Sequence, residues 1–128
     1  MRQILFRGKD HSAAWRYGSY IENAFGSFII KCLDNAYVSK SYKVDPKSLG
    51  EYVGLTDKNG VKIFEGDILQ LYDSEDECFG FVKYDGDLTS WVVTIENTDY
   101  ILGDYFYKQN IVVVGNVYDN SELLEEEA

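Results

Sequence analysis

The sequence predicts a mainly all-β protein, and three observations carry that prediction. Aromatic residues make up 16% of the 128 positions, and with Val, Ile and Thr they fall in short runs separated by Gly, Asn and Asp. That is the composition of strands joined by tight turns. No apolar stretch reaches the roughly 18 residues that a membrane-crossing helix needs. Finally, Asn59-Gly60 sits between two runs of β-formers, Tyr52 to Thr56 and Val61 to Phe64, and this dipeptide is the strongest short-range hairpin signal.

Taken in order, the strand candidates are residues 2–7, 15–21, 27–32, 37–44, 51–56, 61–64, 67–72, 79–84, 90–96, 99–102 and 111–118. Short strands in this number point to a barrel, a sandwich or a rolled sheet. Asn59 and Gly60 are expected to supply the positive φ angles of the hairpin turn. The single proline, Pro46, marks a corner between the fourth and fifth runs. Residues 1–120 read as one domain. In 121–128, Ser121 can cap a short helix and the acids suit its first turn; a frayed acidic tail is the alternative.

Charge divides the chain. Residues 1–50 hold eight Lys/Arg against four Asp/Glu, whereas residues 51–128 hold four against eighteen. Such a split permits electrostatic head-to-tail association, or a basic face for an anionic partner. Strand order can also interleave the halves and erase it. The N-terminal apolar segment is too short for a signal peptide, so the expected location is the cytoplasm, with no membrane contact.

The residues offer little to catalysis. Triads of the Ser-His-Asp or Cys-His kind need a base beside the nucleophile, and the lone His11 lies in a polar turn-like segment. Cys78 follows an acidic run that disfavours its thiolate. Cys32 and Cys78 have no CxxC partner, so both are expected as reduced thiols in or near the core, with no zinc site. Asp73, Glu75 and Glu77 alternate as cation ligands would, but the run lacks the central glycine and terminal glutamate of an EF-hand loop. It reads as a solvated hairpin tip. Phosphate-cradling glycine loops are missing from the sequence. No cofactor, no metal and no catalytic residue is therefore assigned.

One constellation stands out for binding. Arg7, Lys9, Trp15, Arg16 and Tyr17 interleave cations with aromatics, the pairing that stacks on bases and neutralises phosphates. Core aromatics with cations on the outer face of two strands would give the same pattern.

The stretch from Val44 to Ile68 resembles the signature of the YopX-like family of phage and prophage proteins. It contains a V-x-P corner at Val44 to Pro46, G-x-Y-x-G-L at Gly50 to Leu55, D-K-N-G at Asp57 to Gly60, and I-F-E-G-D-I at Ile63 to Ile68. Weaker matches lie at Phe6 to Lys9, Gly80 to Tyr84, Val114 to Asn120 and Glu122 to Leu124. The resemblance implies a β-rich domain with an SH3-like roll, encoded by phages and prophages of Gram-positive bacteria and without established activity; with the strands and tail read above, the expected fold is a small SH3-like barrel or roll elaborated with extra antiparallel strands and a short C-terminal helix or acidic tail. Pro46, Gly54, Asn59, Gly60, Glu65, Gly66 and Asp67 are read as marks of this fold: glycines for bends and turns, Asp67 as an acceptor for backbone amides. The functional expectation is a noncatalytic phage accessory protein in the host cytoplasm, a homo-oligomer and protein-interaction module that engages a host or phage protein. The alternatives are a nucleic-acid-binding protein using the basic N-terminal strands and a metal-dependent hydrolase using acidic residues.

Overall fold

In the computed structural model, which describes residues 2–32, 39–73, 76–105 and 110–125, the runs of β-formers become strands and the Gly, Asn and Asp positions between them become turns. Two compact units result, Met1–Tyr52 and Val53–Ala128.

The first unit holds β1 (Phe6–Lys9), β2 (Trp15–Asn23), β3 (Gly26–Cys32) and β4 (Ser39–Val44) in antiparallel order β4-β3-β2-β1. Gly50 and Glu51, at the start of β5 (Gly50–Thr56), pair with Arg7 and Phe6 on the free side of β1. Because paired residues project to the same side of a sheet, the register places Phe6, Gly8, Arg16, Gly18, Tyr20, Ile29 and Val44 on one face. That face lies inside a roll. A Cβ on Gly8 would stand 2.8 Å from Val44 Cγ2, and one on Gly18 would stand 2.3 Å from the Ile30 carbonyl oxygen. The absent side chains let the sheet curl until its outer strands meet at one corner. There Asp10 bridges Val44, and the Asp45 N–H donates to the Lys9 carbonyl at 2.9 Å.

The corner is capped by a 3-10 turn, Pro46–Ser48. Asp45 accepts from the Lys47 N–H at 3.0 Å, and the Ser48 hydroxyl donates to the Asp45 carbonyl while accepting from the Lys9 N–H.

In the second unit, β5 continues and folds back on β6 (Lys62–Phe64). A five-stranded antiparallel sheet follows in order β10-β9-β8-β7-β11, from β7 (Asp67–Asp73), β8 (Asp76–Asp85), β9 (Ser90–Ile95), β10 (Thr98–Ile101) and β11 (Ile111–Asn116). Short helices α1 (Leu102–Tyr105) and α2 (Glu122–Glu125) flank β11 in sequence. One face of the sheet presents Leu69, Leu71, Val82, Val93 and Ile111, which with Ile63 and Leu102 form the buried cluster. Val53, Leu55, Cys78, Trp91 and Tyr100 pack against it. Burial of this apolar surface is the main stabilising term of the unit.

The all-β expectation holds, and the described strands number eleven. The SH3-like barrel does not close: in the first unit one bridge joins the outer strands instead of a ladder, and the second unit's sheet ends on β10 and β11. Strand 2–7 shifts to Phe6–Lys9, because pairing with β2 runs through Lys9. Residue 102 begins α1, where Leu102 turns into the core, and the last strand stops at Asn116 because the Asn120 side chain accepts from its N–H at 3.1 Å. At the Asn59-Gly60 hairpin only Gly60 has positive φ, at 83°. The Gly60 N–H closes a four-residue turn on the Asp57 carbonyl at 3.0 Å, so Asn59 needs no left-handed conformation. In the acidic run, β7 and β8 extend to Asp73 and Asp76, which pair; residues 74 and 75 lie outside the described residues.

Candidate functional site

The predicted basic and aromatic set divides between the two faces of the first sheet. Register puts Arg7 opposite Tyr17 and Lys9 opposite Trp15 on the outer face, while Arg16, opposite Gly8, points to the inner one. On the outer face the Arg7 guanidinium lies 4.9 Å and the Lys9 ammonium 5.6 Å from the Trp15 ring centre, both within cation–π range. Arg7 is buried and Trp15 half-buried, whereas Tyr17 is 47% exposed. Ser19 and Ile21 continue the β2 row, and Ile30 and Phe28 stand opposite them on β3. The result is an uncharged strip on which Tyr17 and Ile21 remain in solvent.

On the inner side Arg16 has a structural task. Its Nε donates to Asp10 Oδ2 at 2.6 Å, and its guanidinium stacks 3.9 Å from the Tyr42 ring centre. Asp10 also accepts from the Ser12 hydroxyl and from the Ser12 and Ala14 amides. These bonds, the Ser12 hydroxyl first and Arg16 next, hold its carboxyl far below the ordinary carboxylate range. His11 lies exposed in the turn this network fixes.

Among the signature residues, Asp67 is buried and accepts from the Phe64 N–H at 2.7 Å, and Gly66 takes φ of 89° in the turn between β6 and β7. The residue that sequence reasoning passed over is Asp57. It is 2% exposed, and its Oδ1 accepts from Asn59 and Val61 in its own turn while Oδ2 accepts from Val113 on β11 at 3.0 Å. Burial pushes this carboxyl up, and the three backbone donors with nearby Lys58 outweigh it, so the group titrates below its usual value. An Asx turn is legible in D-K-N-G. The third donor, 56 positions away, leaves no local signal.

The outer face of the five-stranded sheet carries a cleft of about 550 Å³. Phe79 and Phe81, alternate residues of β8, form its floor with Leu124 of α2, while Lys83, Thr94 and Asp99 form a polar side and the Glu96-Asn97 turn closes one end. The Thr94 hydroxyl donates to Asp99 Oδ1 at 2.6 Å, and Lys83 Nζ lies 3.4 Å from Oδ2. Chiefly through the Thr94 bond, with Lys83 adding to it against some desolvation, the Asp99 carboxyl is held below its ordinary value. A general acid or base works best when its pKa lies near the working pH. Asp99 is instead a fixed anion, suited to orienting a bound group. The Asp73, Glu75 and Glu77 set falls in part outside the described residues; Glu77 accepts from the Gln70 amide at 2.6 Å. No cluster of metal-ligating side chains occurs among the described residues, and none of the helices there is long and apolar enough to cross a membrane.

The fold and these surfaces define an all-β protein of antiparallel sheets with exposed aromatic and cleft-forming faces. The chain belongs to the YopX family: the family model described as YopX protein matches residues 6–125, nearly the whole length. Among solved structures it is similar to protein EF1440 from Enterococcus faecalis, with TM-score 0.59 and 22% identity over 97% of this chain and 99% of that one. At that identity the likeness speaks to the fold. Among the curated proteins, none matches.

Proposed function

We propose that this chain is a noncatalytic phage or prophage accessory protein that works in the host cytoplasm as a self-associating protein-interaction module. The observation that carries this reading is the outer face of the first unit. Tyr17 at 47% and Ile21 at 44% exposure stand on an uncharged β2 row, and Phe25, at 79%, extends from the adjoining hairpin. Large apolar groups gathered on one face of a small sheet mark a contact surface, where aromatic anchors supply most of the affinity. The divided charge of the chain adds orientation to such a contact. Sedimentation velocity of the purified protein at tens of micromolar tests the proposal. An oligomer is expected at both low and physiological salt, and a monomer under both conditions overturns it.

A second reading, nucleic-acid binding, has one observation in its favour. Lys31 and Lys40 stand directly opposite each other on β3 and β4, both exposed, with Lys40 near the Tyr42 ring. Like charges in that register cost stability and suit an anionic partner. A gel shift that weakens steeply with salt would support this reading.

A further inference from the structure

We propose that the outer face of the first unit is occupied by the β8–β9 hairpin tip of a second copy of this chain. The inference rests on the self-association proposed above and names the element that engages it.

The receiving face is an uncharged strip with a cation at each side. Tyr17, Ser19 and Ile21 form its centre, the Lys9 ammonium lies over Trp15 on the β1 side, and Lys43 stands opposite Phe28 on the β4 side. Lys43 is exposed, and its stem runs over the β2–β3 turn, 2.8 Å from where a Cβ on Gly26 would be. Two such faces brought together would set cation against cation, so a partner rimmed with carboxylates fits better.

The β8–β9 tip has that character. Tyr84 and Leu88 are 48% and 52% exposed, and Asp85 and Asp87 lie between them in the chain. The tip is also ordered in advance: Asp85 Oδ1 accepts from the Asp87 and Leu88 amides at 2.9 and 3.2 Å, and the Tyr84 ring meets Trp91 edge-on at 5.2 Å. A preformed tip loses little entropy on docking. Tyr84 and Leu88 would cover Tyr17 and Ile21, with Asp87 directed to Lys43. Because the two surfaces differ, the contact is head-to-tail and makes a ring or a filament.

Charge reversal in pairs tests this on the full chain, with circular dichroism confirming the fold of each variant. Lys43→Glu and Asp87→Lys should each raise the dissociation constant measured by sedimentation equilibrium by about fivefold or more. Combining them in one chain should restore the constant to near that of the parent protein, and Leu88→Ser should weaken association without lowering thermal stability. If Tyr17→Ser dissociates the oligomer while Asp87→Lys and Leu88→Ser leave it intact, the hairpin assignment falls and self-association stands. Losses that add in the double variant also overturn the assignment. A parent protein that is monomeric removes both proposals.

Discussion

The two units use similar residues in opposite ways. Of the twelve hydrophobic side chains that are buried among the described residues, Ile29 and Val44 belong to the first unit and the other ten to the second. The second unit gathers seven of its ten into one cluster on one face of its sheet. In the first, a sheet curled on glycine is tied by polar corners: Asp10 with Arg16, and Asp45 with Ser48 and Lys9. Of its aromatics, Trp15 and Tyr17 stand on the outer face beside Arg7 and Lys9, while Phe6, Tyr20 and Tyr42 lie on the inner one. The difference teaches that aliphatic burial is concentrated in the later part of the chain, while polar ties hold the earlier part.

Core truncation tests that division most severely. Leu71→Ala, at a fully buried position in the second cluster, should cost about 3 to 4 kcal/mol, the usual range for a leucine that leaves a cavity. Ile29→Ala should cost about 2 to 3 kcal/mol, because the smaller first core can collapse around the gap. Chemical denaturation measures both, and equal losses would break the comparison. Gly18→Ala tests the curl itself: its Cβ would stand 2.3 Å from the Ile30 carbonyl oxygen, a backbone atom that only a strand shift can move, so a loss of about 3 kcal/mol or more is expected. Hydrogen exchange should show the disturbance confined to β2 and β3, which sharpens the view that the first unit holds its curl independently.

Asp57→Asn comes next, with an expected loss of about 2 kcal/mol at neutral pH as one charge-assisted acceptor is exchanged for a donor. Asp57 has a folded pKa below 3.8, so its contribution is present above that value and is lost as pH falls through the folded pKa. The parent protein should therefore lose thermal stability on acidification below about pH 4. The Asp57→Asn substitution should flatten that part of the profile, and a variant with the parent's full acid sensitivity would show that other carboxylates carry it.

Strand positions were legible because composition and turn residues are local. Val61 to Phe64 and Gly80 to Tyr84 announce themselves within a few residues, as does the Pro46 corner. Closure was not, because whether β1 meets β4 by a ladder or by one bridge depends on curl, and curl depends on what Gly8 and Gly18 leave empty. The basic and aromatic set was legible as a pattern but not as a surface. Strand alternation sends Arg16 inward to Asp10 and Tyr42, while Arg7, Lys9, Trp15 and Tyr17 share the other face. The cleft could not be read at all, since Phe81, Thr94, Asp99 and Leu124 come together only through sheet register and the docking of α2.

The carboxylate of Asp57 also has a consequence for biosynthesis. Its own turn is complete as soon as Val61 has been made, but its second oxygen waits for Val113. At a translation rate of about 5 to 20 residues per second, that interval lasts roughly 3 to 10 seconds. Through this time β7 lacks its β11 neighbour and the hairpin lacks its tie to it. The first unit, whose residues end at Tyr52, can curl while the second is still open on the ribosome. The earlier sheet is thus complete in sequence well before the larger core can close around β7 and β11.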